Sequence, residues 1–422
     1  MREVRRALLV CAVVVAVTTS PASAQVAEAP EVLHGADTAG RIAFVASDGR
    51  PAIVDPVSGA RAMLTSAAQR AQFPAWSPDG SALAVISSAA ATGPGVDVYQ
   101  PLSGEHERVY ARAAEPPIYH SWSPDGSRIA VLARRVDALG LYLAPVPAGE
   151  PRLLAQGDPF YWSWADGGAA LLIHRNVLRA NAEIGFTRLD AYALDIAYPN
   201  PGAFQSPAVS ASGDWVAYAT RAPVDTRRVV LQRITPGGAG EERLELPHAG
   251  LAAFAWHPGR DLVAVQRALV AGPSSYGPIV TIDTRSGEHR TITDDISLAF
   301  WWSPDGGTIA YLTPIVADVP GPVRHVMLPA LSHGVWLALW VADVATGFKR
   351  ELARFSPSEA FLHQYLPFFD QYARSHRLWS PSSDALVLPV LDAHGESLLM
   401  VYGLDGSARA LGPGDMPAWN VR

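Results

Sequence analysis

The string WSPDG occurs three times: at 76–80, inside FPAWSPDG (73–80), and again at 122–126 and 302–306. Pro presets φ, Asp bonds nearby backbone and Gly accepts positive φ, so each copy is a Trp followed at once by a tight turn. Looser copies open at Trp164 (WADGG), Trp256 (WHPGRD) and Trp379 (WSPSSD). The steps between these Trp residues are 46 (76 to 122), 42 (122 to 164), 92 (164 to 256), 46 (256 to 302) and 77 (302 to 379). The step of 92 is two periods. At its middle PAVSASGDW (207–215) lays onto PAWSPDGSA (74–82), with Val209 in the Trp place. One unit therefore recurs along the chain.

Each unit has the same interior. After the turn comes a short apolar segment: ALAVIS (82–87), RIAVLA (128–133), AALLIH (169–174), WVAYAT (215–220), LVAVQR (262–267), TIAYLT (308–313) and ALVLPV (385–390). Alternating and bounded by turns, these read as strands. A second strand ends in a hairpin turn such as DPVSG (55–59), QPLSG (100–104), DTRSG (283–287) or DVATG (343–347), and a third with a charged face follows, such as EHERVY (105–110). With the strand that carries the Trp, each unit has four. Four antiparallel strands at this period make a β-propeller blade, so the fold is expected to be all-β. Trp76, Trp122, Trp164, Val209, Trp256, Trp302, Trp379 and Trp419 mark eight blades, or seven if the Val209 unit does not form a full sheet.

The first unit starts at RIAFVAS (41–47) with nothing Trp-like before it, whereas DMPAWNVR (415–422) is a first strand without a unit behind it. An open ring leaves sheet edges free to pair with other chains. The C-terminal strand is therefore expected to complete the N-terminal blade.

The repeated WSPDG before an apolar strand strongly resembles the TolB-type, WD-repeat-like propeller family. The same repeats are found in the non-catalytic domains of prolyl oligopeptidase-like and dipeptidyl peptidase IV-like enzymes. The resemblance covers roughly residues 40–422. It implies a propeller fold and, as for TolB-type propellers, a protein or peptide partner. It departs from TolB itself in lacking the extra N-terminal domain, since the repeats begin at 41, within about 20 residues of the expected mature start at Gln25, which puts a Tol–Pal role in doubt.

The recurring Asp79, Asp125 and Asp305 read as turn formers, and the Trp residues as packing between blades. The N-terminus reads as a secretory leader (1–24). Arg2, Arg5 and Arg6 precede the apolar ALLVCAVVVAV (7–17), and ASA (22–24) precedes Gln25. A short linker (25–40) leads into the propeller (41–422). The expected location is periplasmic, cell-envelope or extracellular. Cys11, the sole cysteine, follows Val10 and reads as leader filler, so the mature chain carries no thiol chemistry. VMLPALSHGVWLALWV (326–341) is broken by Pro329, His333 and Gly334 and reads as strands and a loop, not a membrane span. The formal charge of −7 becomes −9 once three Arg and one Glu leave with 1–24, which speaks against a nucleic-acid partner.

The unit between Trp302 and Trp379 is enlarged over about 313–377. VADVPGPVRHVMLPALSHG (316–334) interrupts its first hairpin. SPSEAFLHQYLPFFDQYARSHR (356–377) reads as a helix with Ser356 as cap, Pro357 in its first turn, Glu359 in a capping box and a kink or end at Pro367. Large residues crowd there: Trp336, Trp340, Phe361, Tyr365, Phe368, Phe369 and Tyr372. Together with His376 they form the candidate partner surface, or else a cap over one propeller face. Arg374, His376 and Arg377 could serve an acidic group or form a solvated rim.

No nucleophile elbow, zinc spacing, calcium loop or phosphate loop is found, so no catalytic residue, metal or cofactor is assigned. The expectation is a binding scaffold for a protein or peptide, of open oligomeric state. The alternative is a hydrolase or lyase acting on a carbohydrate or small ester in the central channel, signalled by acids or histidines clustered at its mouth.

Overall fold

The computed structural model describes residues 38–421, apart from 67, 178, 190–195, 199–200, 203, 221–226, 236–237, 273 and 316–333. The expected leader, most of the linker and nearly all of the first insert thus lie outside the described residues.

The repeat folds as eight antiparallel sheets in a ring, and the class is an eight-bladed β-propeller. Blade 2 shows the pattern. Its strands Arg70–Trp76, Leu83–Ala89, Gly93–Gln100 and Glu105–Tyr110 run outward in chain order from a central channel. The Val209 unit, blade 5, makes a full sheet from Ala208–Val209, Trp215–Ala219, Arg228–Thr235 and Gly238–Pro247, so the count is eight and not seven. Blade 8 has three regular strands, and its innermost position is reduced to a bridge between Trp379 and Leu386.

The second strand of each blade was expected to alternate between apolar and polar faces. It is instead buried on both: Ile309, Ala310, Tyr311 and Leu312 have no exposed surface. A neighbouring blade covers each face, so both must be apolar, as in a sheet sandwiched within its fold.

The C-terminal strand Asp415–Trp419 pairs with Ile42–Val45, setting Ile42 opposite Trp419, and closes the ring in blade 1. The equivalence with blade 2 extends to an irregularity. Phe73 (φ 52°) and Met416 (φ 50°) both precede a Pro in the left-handed region, and both strands shift register there. Asn420 then locks the seam. It is buried, and its side-chain amide donates to the carbonyls of Thr38 (2.8 Å) and Gly80 (3.0 Å). Gly80 has φ 73° and lies against Asn420, so a Cβ there is excluded twice, by conformation and by space.

The repeated polar residues form the turns they were expected to form. Asp79 accepts from Ser77 Oγ (2.6 Å) and from the Ser81 amide (3.1 Å), and Asp125 repeats the contact with Ser127. Five of the Trp residues tie their blade to the one before it. Trp76, Trp122, Trp302 and Trp379 donate Nε1–H to the carbonyls of Ala418 (3.0 Å), Ala75 (2.9 Å), Ala255 (2.9 Å) and Trp301 (3.4 Å). In each case the acceptor directly precedes the Trp, or its equivalent, of the preceding blade. Trp164 makes the same reach to Ser121 Oγ (3.1 Å). Trp256 follows the Val209 blade, and its buried Nε1–H has no acceptor.

This difference is measurable in urea. Trp122→Phe should lose about 1 kcal/mol through the hydrogen bond, beyond any packing loss. Trp256→Phe should lose less, because it removes a donor that is already unpaired. Equal losses would contradict the latch.

Candidate functional site

Eight blades enclose a wide channel, and their inner strands point Phe73, Tyr119, Trp162, Phe254 and Phe300 toward it. Water in the channel would leave these side chains exposed, which is unfavourable at roughly 25 cal/mol per Å². The second insert covers them. It forms an irregular helix of π geometry over Phe361–Tyr365, 3-10 geometry over Leu366–Phe368 and α geometry over Phe369–Tyr372. The change of geometry falls at Pro367, where a kink or end was expected.

The start of the helix differs from expectation. Ser358, not Ser356, is the cap, and its Oγ accepts from the Phe361 amide (3.2 Å). Ser356 instead donates to the Val335 carbonyl (3.1 Å), and Glu359 faces His363 (3.8 Å) rather than closing a capping box. The insert leaves a strand that is already committed to blade 7, so the backbone reaches helical geometry two residues later than local sequence suggests.

Tyr372 lies 4.8 Å from Phe73 and 4.9 Å from Tyr119 between ring centres, and Phe369 lies 5.5 Å from Phe300. Phe361 and Tyr365 stack on each other at 5.1 Å. These four and His376 are buried. They form the inward face of a plug, and the structure places none of them on an outer surface. Phe368 is half-buried beside Tyr161. Trp336 and Trp340 do not join the group. They lie on the third strand of blade 7, Trp336 half-exposed and Trp340 stacked on Tyr311.

Polar contacts fix the plug. Gln371 accepts the Trp162 amide (3.1 Å) and Ser206 Oγ (3.2 Å) at Oε1, and its carbonyl accepts Tyr119 OH (3.0 Å). Asp370 accepts the Ser206 amide (3.1 Å). Two residues of the helix thus satisfy inner-strand groups of blades 3, 4 and 5, which no sheet partner reaches. Burial pushes the Asp370 carboxyl up to about 6, although the Ser206 amide and Arg374 pull the other way. Burial also drives His376 down to about 3 and His120 to about 4, so both are neutral.

Beyond the plug, one mouth of the channel stays open. A cavity of about 490 Å³ lies between Val209, Trp256, Trp302 and Trp379 over Asp370 and Arg374. A second, of about 370 Å³, lies between Trp76, Trp122, Trp164 and Trp419 over Gln371. Ser163, Arg374 and Arg377 line both. The larger cavity sits where Val209 replaces a Trp, and the missing indole leaves the space. Arg374 donates to the Trp162 carbonyl (3.3 Å). Arg377 borders both cavities and is exposed. Among the described residues no three His, Cys, Asp or Glu side chains gather to hold a metal ion, and no helix is long and apolar enough to cross a membrane.

The sequence singled out Arg374 and Arg377, and the structure brings them together at this mouth. Trp162, Ser163, Ser206, Asp370 and Gln371 were missed. The Asp-Gln pair inside an aromatic run was the available signal, since charged and amide groups in an otherwise apolar helix need buried partners.

The fold and this mouth define an eight-bladed propeller with one end plugged by its own insert. No family model and no curated protein matches the chain. Similar solved structures include the dihydro-heme d1 dehydrogenase NirN in complex with DHE (15% identity, 93% of this chain and 77% of that one, TM-score 0.58). A eukaryotic initiation factor is also similar (12% identity, 91% and 99%, TM-score 0.54). TolB from Acinetobacter baumannii matches at 14% identity over 90% of this chain and 66% of its own length, with a TM-score of 0.40. These likenesses are of fold.

A raised carboxyl pKa means that folding opposes ionisation, so Asp370 costs stability above pH 3.8 and fully so above about 6. Asp370→Asn should therefore gain on the wild type as pH rises from 4 to 7. The gap should widen by up to about 3 kcal/mol, at roughly 1.4 kcal/mol per unit. Denaturant melts at the two pH values check this, and a gap independent of pH would refute the burial of an ionisable Asp370.

Proposed function

We propose that the chain is an exported, non-catalytic propeller that binds a protein or peptide segment at the Trp-lined mouth of its channel. The observation that carries this is the pair of adjoining cavities walled by Trp residues of successive blades, above a floor fixed by the plug. Flat aromatic walls with a few polar groups are what binding hot spots use. The insert contributes to the site through Arg374 and Arg377, and its buried aromatics support the floor.

The enzyme reading is less well supported. Among the described residues Asp370 is the one carboxylate lining the two cavities, and a glycosidase-type mechanism uses two. His376 at the same mouth is held neutral and buried.

Ser163 borders both cavities, so Ser163→Trp should fill them while leaving the blades intact. Affinity capture from the native envelope fraction should then retain a partner with the wild type and lose it with the variant, at unchanged circular dichroism and melting temperature. Equal capture by both would remove the mouth from consideration. Export is tested separately by N-terminal sequencing of the periplasmic protein, with Gln25 expected first.

A further inference from the structure

The charge at the mouth is unbalanced. The smaller cavity is lined by Trp76, Trp122, Trp164 and Trp419 with Arg374 and Arg377, and among the described residues no acidic side chain borders it. Arg374 has partners: it donates to the Trp162 carbonyl and lies within the field of Asp370 one helical turn away. Arg377 has none among the described residues. Its backbone carbonyl accepts the Trp419 amide (2.7 Å), which fixes its position, but its guanidinium meets no acceptor. This unpaired cation stands in a chain whose formal charge is −7, so the mouth runs against the sign of the whole.

An exposed guanidinium with no counter-charge of its own is free to pair, and an oxyanion with two acceptor oxygens matches its forked N–H donors best. One uncompensated charge matches a monoanion. A phosphate monoester would bring nearly two charges to a place with one free cation among the described residues. Of the surrounding indoles Trp164 keeps part of its surface, while Trp76, Trp122 and Trp419 border the recess but are otherwise buried, so a planar apolar body next to that anion would pack chiefly on Trp164.

We infer that the mouth recognises the free C-terminal carboxylate of a peptide ending in an aromatic residue, with Arg377 binding the carboxylate and the Trp walls holding the ring. This rests on the peptide-binding reading above and gives it a chemical specificity.

The test uses the full chain and two probes, acetyl-Ala-Gly-Phe with a free carboxylate and the same peptide as its C-terminal amide. Binding is read by titration calorimetry and by tryptophan fluorescence, since the probes carry no indole. The acid should bind about tenfold more tightly than the amide. Arg377→Gln should abolish that difference and Arg377→Lys should restore part of it. The exposed Arg409→Gln, away from the channel, should change nothing. Should Arg377→Gln fail to fold, the comparison of acid with amide on the unaltered chain still decides. Equal binding of acid and amide would overturn the carboxylate role and leave the peptide-binding reading standing. No binding of either at millimolar peptide would overturn both.

Discussion

Pairing of the C-terminal strand Asp415–Trp419 with Ile42–Val45 is the constraint on which the rest depends. A propeller blade is buried on both faces only when it has a neighbour on each side. The fully apolar second strands, such as Leu83–Ile86 in blade 2, are therefore tolerable only in a closed ring. Closure is also non-local: it joins residues more than 350 positions apart and carries a high entropic cost. The seam is reinforced accordingly, by the Asn420 amide against Thr38 and Gly80 and by the Trp76 indole against Ala418.

From closure follows the channel, and from the channel the plug. Eight inner strands cannot meet at the axis, so their inward aromatics need a cover that no blade supplies. The helix between blades 7 and 8 provides it, and its Asp370–Gln371 pair satisfies backbone amides of Trp162 and Ser206 that would otherwise be orphaned. With one end filled, the other becomes a floor-backed recess. The recess inherits its walls from the repeat, because the Trp residues that latch five of the blades to their predecessors also line the mouth. Where the repeat carries Val209 the wall is missing, the following Trp256 loses its acceptor, and the larger cavity opens.

Much of the architecture could be read from the sequence because turn chemistry and period are local properties, repeated often enough to tolerate one degenerate copy. PAVSASGDW identified blade 5 without its Trp, and DMPAW identified the closing strand by likeness to FPAW, down to a shared left-handed residue before Pro. The site was less legible. Helical spacing announced the 356–377 helix, but nothing local says that Phe361, Tyr365, Phe369 and Tyr372 turn inward. Their burial depends on a channel that exists only once the ring is closed. The cap at Ser358 instead of Ser356 has the same origin, since the competing partner Val335 is brought close by tertiary structure. Arg374 and Arg377 could be named from sequence, but their pairing states could not.

The Trp-lined mouth is open and, at its smaller cavity, cationic in a protein of opposite net charge. Collisional quenching of tryptophan fluorescence tests it directly. Iodide should quench more strongly than caesium, with much of that excess lost in Arg377→Gln, because the anion concentrates where the free guanidinium stands. Caesium quenching equal to or stronger than iodide, as the net charge alone would dictate, would contradict the account.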